Sequence, residues 1–151
     1  MVYESLRALI GTNDDVVWYD INPCYVFHPL NAYEDGDKIV IDVCRFDHYL
    51  KPDLPIPPEQ LTRWTIDTKA GTVDEKKLME TPVEFPRVPD SLVGQKHRFG
   101  YMTHMSESFP AGVGILKYDF ASNEAREFAL PDGQYCGEPV FVSRQDSSSE
   151  D

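Results

Sequence analysis

Long apolar runs are missing from this sequence. No stretch approaches the roughly 18 consecutive apolar residues of a membrane-crossing helix, and residues 1–11 lack the apolar centre of a signal peptide. Positive charge is scarce: 14 Lys and Arg face 26 Asp and Glu, for a formal net charge of -12. That balance argues against nucleic acid, whose phosphates are held by clustered basic side chains. It argues equally against electrostatic attachment to an anionic membrane. The acid is spread through turns and strand ends and reads as a solubilising surface. Cysteine is sparse too. Cys24, Cys44 and Cys136 are widely spaced, odd in number and without a CxxC pair, which fits free thiols in a reducing compartment and offers no zinc site. Glycine-rich phosphate loops, a GxSxG elbow, and HExxH, HxxxH or close His-x-Asp arrangements are all absent.

What is present is a core. With 41% hydrophobic and 12% aromatic residues over 151 positions, the chain is far too apolar for disorder and long enough for one ordinary domain. Helical periodicity is confined to residues 3–10, a short helix stopped by Gly11 and the polar run Thr12-Asn13-Asp14-Asp15. Beyond it, short β-type segments dominate: residues 16–21, 25–33 and 38–46, the last two joined by a turn at Asp35-Gly36. In 38–46, Ile39, Ile41 and Val43 alternate with Asp42 and Cys44. The connection 47–60 carries Pro52, Pro55, Pro57 and Pro58, which excludes a central strand and predicts an extended loop.

The second half supplies the architectural clue. Residues 61–67 turn through Lys69-Ala70-Gly71 into 72–78, and residues 114–119 turn through Ser122-Asn123 into 124–130. The two hairpins superpose with Asp67 on Asp119 and Gly71 on Asn123, both residues suited to positive φ. A hairpin recurring in this way is what successive blades of an antiparallel β-propeller give, although a β-sandwich produces such strands nearly as well. Strand-like residues 138–144 lead directly into a polar tail, so the chain reads as an internal piece of something larger.

Two residues stand out as carriers of chemistry. His28 sits in the aromatic segment Tyr25-Val26-Phe27-His28-Pro29-Leu30, where Pro29 interrupts the ladder, as at rims and central openings of barrels and propellers. A structural histidine is the ordinary reading of such a residue; metal ligation or acid–base work is the other. Glu138 lies between Gly137 and Pro139 at the entrance of an apolar segment. A surface glutamate is the ordinary reading there. The alternative is an acceptor for the distal nitrogen of a metal-bound histidine. His48, His97 and His104 have no spacing that makes a ligand pair and read as structural or surface groups. The aromatic residues furnish either a sheet core or the wall of an apolar tunnel.

These motifs carry a resemblance. Residues 22–34 (NPCYVFHPLNAYE), with Gly36 and 41–45, resemble the segment around the third iron-binding histidine of the carotenoid oxygenases. Residues 61–64 with 84–88 (EFPRV) resemble the next region, and residues 135–144 (YCGEPVFVSR) a third, in the same order along the chain. The resemblance implies an all-β antiparallel propeller fragment, about three blades of a seven-bladed propeller, forming one partial domain over 1–151. It implies a non-haem Fe(2+) held by four histidines and oriented by glutamates behind them. His28 would be one iron ligand and Glu138 one of those glutamates. The implied reaction is cleavage of an alkene double bond of a carotenoid, apocarotenoid or stilbene by O2 to carbonyl products. The partners of His28 would lie outside this segment, so the segment alone is expected to be inactive. No transmembrane segment is expected; the location is expected to be cytoplasmic, or plastid in a plant. A non-catalytic β-domain, or a module that binds an apolar ligand without metal, is the competing reading.

Overall fold

The computed structural model describes residues 16–48, 57–106 and 111–144. Among them are eight strands: β1 (Tyr25–Asp35), β2 (Lys38–Phe46), β3 (Gln60–Asp67), β4 (Thr72–Lys77), β5 (Val83–Arg87), β6 (Phe99–Met105), β7 (Gly112–Asp119) and β8 (Glu124–Ala129). They form two four-stranded antiparallel sheets, each with neighbours in chain order, β1-β2-β3-β4 and β5-β6-β7-β8. Each is a meander of the kind a propeller blade requires. A 3-10 turn at Asp90–Leu92 lies between β5 and β6.

The two outer hairpins turn by the same chemistry. The Asp67 carboxylate accepts the Lys69 and Ala70 N–H groups at 3.0 and 2.8 Å, and the Asp119 carboxylate accepts that of Ala121 at 2.9 Å. The Gly71 N–H then closes on the Asp67 carbonyl and the Asn123 N–H on that of Asp119, each at 2.8 Å. Gly71 has φ of 70° and Asn123 of 57°. These are left-handed positions that glycine and asparagine occupy most readily.

Between the sheets lies the main core, with Leu30, Cys44 and Leu61 of the first sheet against Val83, Met102, Leu116 and Tyr118 of the second. Close approach is enforced at Gly100, where a Cβ would stand 2.6 Å from Leu30 Cδ1. The opposite face of the first sheet is also apolar: Cys24, Val43 and Trp64 cluster there with Ile21, Val26, Ile41 and Val73. That explains β2, where apolar residues occupy both alternating sets, Ile41 and Val43 in one and Val40, Cys44 and Phe46 in the other beside the buried Asp42, because both faces of the sheet are covered or coverable.

Several local expectations differ from the structure. Residues 16–21 form no strand, and residues 138–144 run without a ladder, following an isolated bridge from Cys136 to Gly112. A strand exists only where a neighbour supplies its hydrogen bonds, and apolar content alone could not reveal that. β5 was not foreseen as a strand because it is short and carries Pro86. The helix expected at 3–10 and most of the proline-rich connection lie outside the described residues.

Candidate metal-site residues

His28 lies where β1 leaves its regular register. Val26 pairs with Arg45, Pro29 with Val43 and Asn31 with Asp42, so five steps along β1 match three along β2: one one-residue slip contains the histidine and a second follows it. Pro29 lacks the N–H that the ladder would need. A bulge of this kind re-aims a side chain out of the alternation of its strand. β5 has the same device: Glu84 pairs with Thr103 but Arg87 with Tyr101, a one-residue slip spanning Phe85 and Pro86. Phe85 takes φ of 53°, a strained value for a bulky residue with a Cβ.

The two bulges bring His28 and Glu84 together. His28 Nδ1 is 2.6 Å from Glu84 Oε2, and the same oxygen accepts the Phe85 N–H at 2.6 Å. The carboxylate therefore fixes the tautomer with the proton on Nδ1 and leaves the Nε2 lone pair outward. The Glu84 side chain is 6% exposed and that of His28 46%. Burial pushes the Glu84 carboxyl up, and the Phe85 N–H and the imidazole draw it back down. Its second oxygen, Oε1, is buried with no hydrogen-bond partner among the described residues. Phe85 and Phe27 flank the imidazole, with ring centroids 5.2 and 6.3 Å from it, and Phe46 stacks edge-on against Phe27 at 5.6 Å. The result is a histidine with one free nitrogen, oriented from behind by a buried carboxylate and framed by apolar rings.

Glu138 is elsewhere. Its Oε1 is 2.6 Å from Arg87 Nε, with both side chains nearly half exposed, and it touches no histidine among the described residues. Thr103 reaches the neighbouring Gly137 carbonyl at 2.7 Å, which ties this segment to β6. His104 is bound at 2.6 Å to Glu127, and His97 is buried beside Asn31 and Asp42. No group of three or more His, Cys, Asp or Glu that could hold a metal occurs among the described residues.

Glu84 is the residue that sequence reasoning missed. It stood inside a recognised motif, Glu84-Phe85-Pro86-Arg87-Val88, but received no role. The usable signal was a carboxylate immediately before an apolar residue and a proline, an arrangement that invites a bulge.

Comparison with known proteins places this geometry. The sequence model of the Retinal pigment epithelial membrane protein family, which includes the carotenoid cleavage oxygenases, matches residues 7–151. The chain belongs to the carotenoid oxygenase family. A carotenoid cleavage oxygenase of Mycobacterium tuberculosis is 35% identical over 93% of this chain and 31% of its own length. The apocarotenoid-15,15'-oxygenase of Synechocystis sp. is 35% identical over 84% of this chain and 28% of its own length. In three dimensions, cobalt-substituted Synechocystis apocarotenoid oxygenase superposes with a TM-score of 0.83 at 28% identity, covering 93% of this chain and 32% of that one. This carotenoid oxygenase chain therefore spans about a third of the length of the relatives it matches, and its all-β sheets are part of their propeller fold. No described helix is long and apolar enough to cross a membrane.

Proposed function

We propose that this chain is part of a non-haem iron(II) oxygenase that cleaves a carbon–carbon double bond of a carotenoid or apocarotenoid, with His28 as one iron ligand. The observation that carries the reading is the His28–Glu84 pair. A metal-binding histidine needs its ring held through the nitrogen that does not bind the metal, and the Glu84 carboxylate 2.6 Å from His28 Nδ1 supports that role. The residues fit the group as a share of a site, since one imidazole does not retain iron(II) alone; the other ligands come from outside these 151 residues. Glu138, at the far side of β5, is the acceptor for one of those histidines.

Iron(II) in such a site supplies dioxygen chemistry: the C=C bond breaks and each carbon takes one oxygen atom as a carbonyl. The chain's own residues do the rest. Glu84 holds the ring through Nδ1, so Nε2 is the nitrogen left for the metal. Phe27 and Phe85 offer an apolar wall suited to a polyene beside the imidazole. The strained Phe85 backbone turns the Glu84 carboxylate onto its own N–H and onto His28.

Anaerobic iron(II) titration and oxygen uptake with an apocarotenoid test the reading. The full-length protein should bind iron and release aldehydes, and the 151-residue chain alone should bind weakly and turn nothing over. A full-length protein that takes up apocarotenoid but no iron would instead be an apolar-ligand binding module.

A further inference from the structure

Three residues beyond His28, Asn31 is 6% exposed and spends most of its amide on the connection between β5 and β6. Its Nδ2 lies 2.9 Å from the Gln95 carbonyl, 3.1 Å from that of Leu92 and 3.0 Å from His97 Nδ1. Its Oδ1 accepts the N–H of Gly94 and of its own neighbour Ala32, each at 3.0 Å. All of the distant partners belong to the connection between β5 and β6. Gly94 there takes φ of 79°, a left-handed turn residue that presents its N–H to the Asn31 oxygen. At the end of the connection, His97 Nε2 lies 3.5 Å from Asp42 Oδ2 with both side chains fully buried. Asp42 is in turn gripped by the Arg63 guanidinium at 2.7 and 2.9 Å, and it stands directly opposite Asn31 in the β1–β2 ladder.

The position in the ladder gives this clasp its meaning. Asn31 is the first residue at which β1 regains regular pairing after the two slips around His28. A one-residue slide of β1 against β2 would turn His28 to the opposite face. The clasp fastens the end of that bulge to the connection that follows β5, the strand that carries Glu84. An amide suits the position: it donates to two carbonyls and accepts two N–H groups with the same planar head, which neither a carboxylate nor a hydroxyl can do.

We propose that Asn31 is the positioning residue of the His28–Glu84 pair, fixing through His97 and the β5–β6 connection the register that brings imidazole and carboxylate together. The proposal rests on the metal-site reading of His28 given above. Its test uses the full-length protein loaded with cobalt(II), whose visible absorption reports ligand geometry without turnover, and amide exchange across residues 26–32. Asn31→Ser should weaken cobalt binding by about 10–100-fold, the range for losing an orienting partner behind a ligand, shift the absorption bands and speed exchange at residues 28–32. Leu116→Ala, a core deletion between the sheets, should lower the melting temperature at least as much and leave cobalt affinity and bands unchanged. If Asn31→Ser does not fold, His97→Gln takes its place with the same expected direction. Wild-type cobalt affinity, bands and exchange in the folded variant would overturn the proposal. Wild-type protein that takes no cobalt would overturn the metal reading instead, and exchange at residues 26–32 alone would then decide whether Asn31 fixes the register.

Discussion

Arg87 Nε and Glu138 Oε1 lie 2.6 Å apart, which sets Glu138 against the same short strand, β5, whose Glu84 holds His28. Two carboxylates thus converge on one strand from different parts of the chain, one buried and one nearly half exposed. An exposed pair of this kind contributes about 0–1 kcal/mol. Arg87→Gln should therefore shift the melting temperature of the full-length protein little. Glu138→Gln should leave the fold intact and lower iron affinity or turnover by about 10–100-fold, as expected of a carboxylate that orients a ligand from behind. Iron content, melting temperature and steady-state rate of the two variants check this together.

Glu84→Gln separates orientation from stability. The substitution removes a buried charge whose second oxygen has no described partner, so the folded protein should be no less stable. It also replaces a charged acceptor for His28 by a neutral one, and iron affinity should fall by about 10–100-fold. Thermal unfolding and iron titration on the same preparation distinguish the two effects; a large loss of stability with unchanged affinity would mean that Glu84 is structural.

Much of the fold was legible in the sequence, and for local reasons. The β3–β4 and β7–β8 hairpins are written in their turns: an aspartate that accepts backbone N–H groups two and three residues on, then a residue able to hold positive φ. The irregular pairing at His28 was legible through Pro29, because a proline in an aromatic strand announces a break in the ladder. Its partner was not, since Glu84 is 56 residues away and reaches His28 only through bulges in two different strands. No periodicity records a bulge in advance. The segments at 16–21 and 138–144 read as strands from composition, yet a ladder partner decides the matter, and Val140 and Val142 stay 79% and 82% exposed.

Asp119 offers a pH test of the second hairpin. The Arg98 guanidinium, 2.8 Å away, together with the turn N–H groups, lowers its carboxyl from 3.8 to about 2. A depressed folded value means that the stabilisation is present above the unfolded value and is lost as pH falls from 3.8 towards about 2. Carboxyl NMR of the protein should place the Asp119 midpoint near the lower figure, and Arg98→Gln should move it up towards the unfolded value. An unchanged midpoint in the variant would remove Arg98 as the cause.

The 151-residue chain by itself should associate. Partly exposed Ile21, Val26, Ile41 and Val73 line a cavity of about 230 Å3 on one face of the first sheet, and Phe128, Val140 and Val142 are exposed. Apolar patches on this scale promote self-association, against the solubilising charge of -12. Sedimentation of the purified chain should show oligomers or precipitate; a monodisperse monomer with a sharp unfolding transition would mean that these faces need no neighbour.

The claim that His28 is an iron ligand is open to one direct measurement: iron per protomer in the full-length protein and in its His28→Ala variant, both reconstituted anaerobically and shown to be folded. Losing one imidazole from a ligand set that this chain cannot otherwise supply should empty the site. The account predicts iron in the wild-type protein and almost none in the variant, and equal iron in both would contradict it.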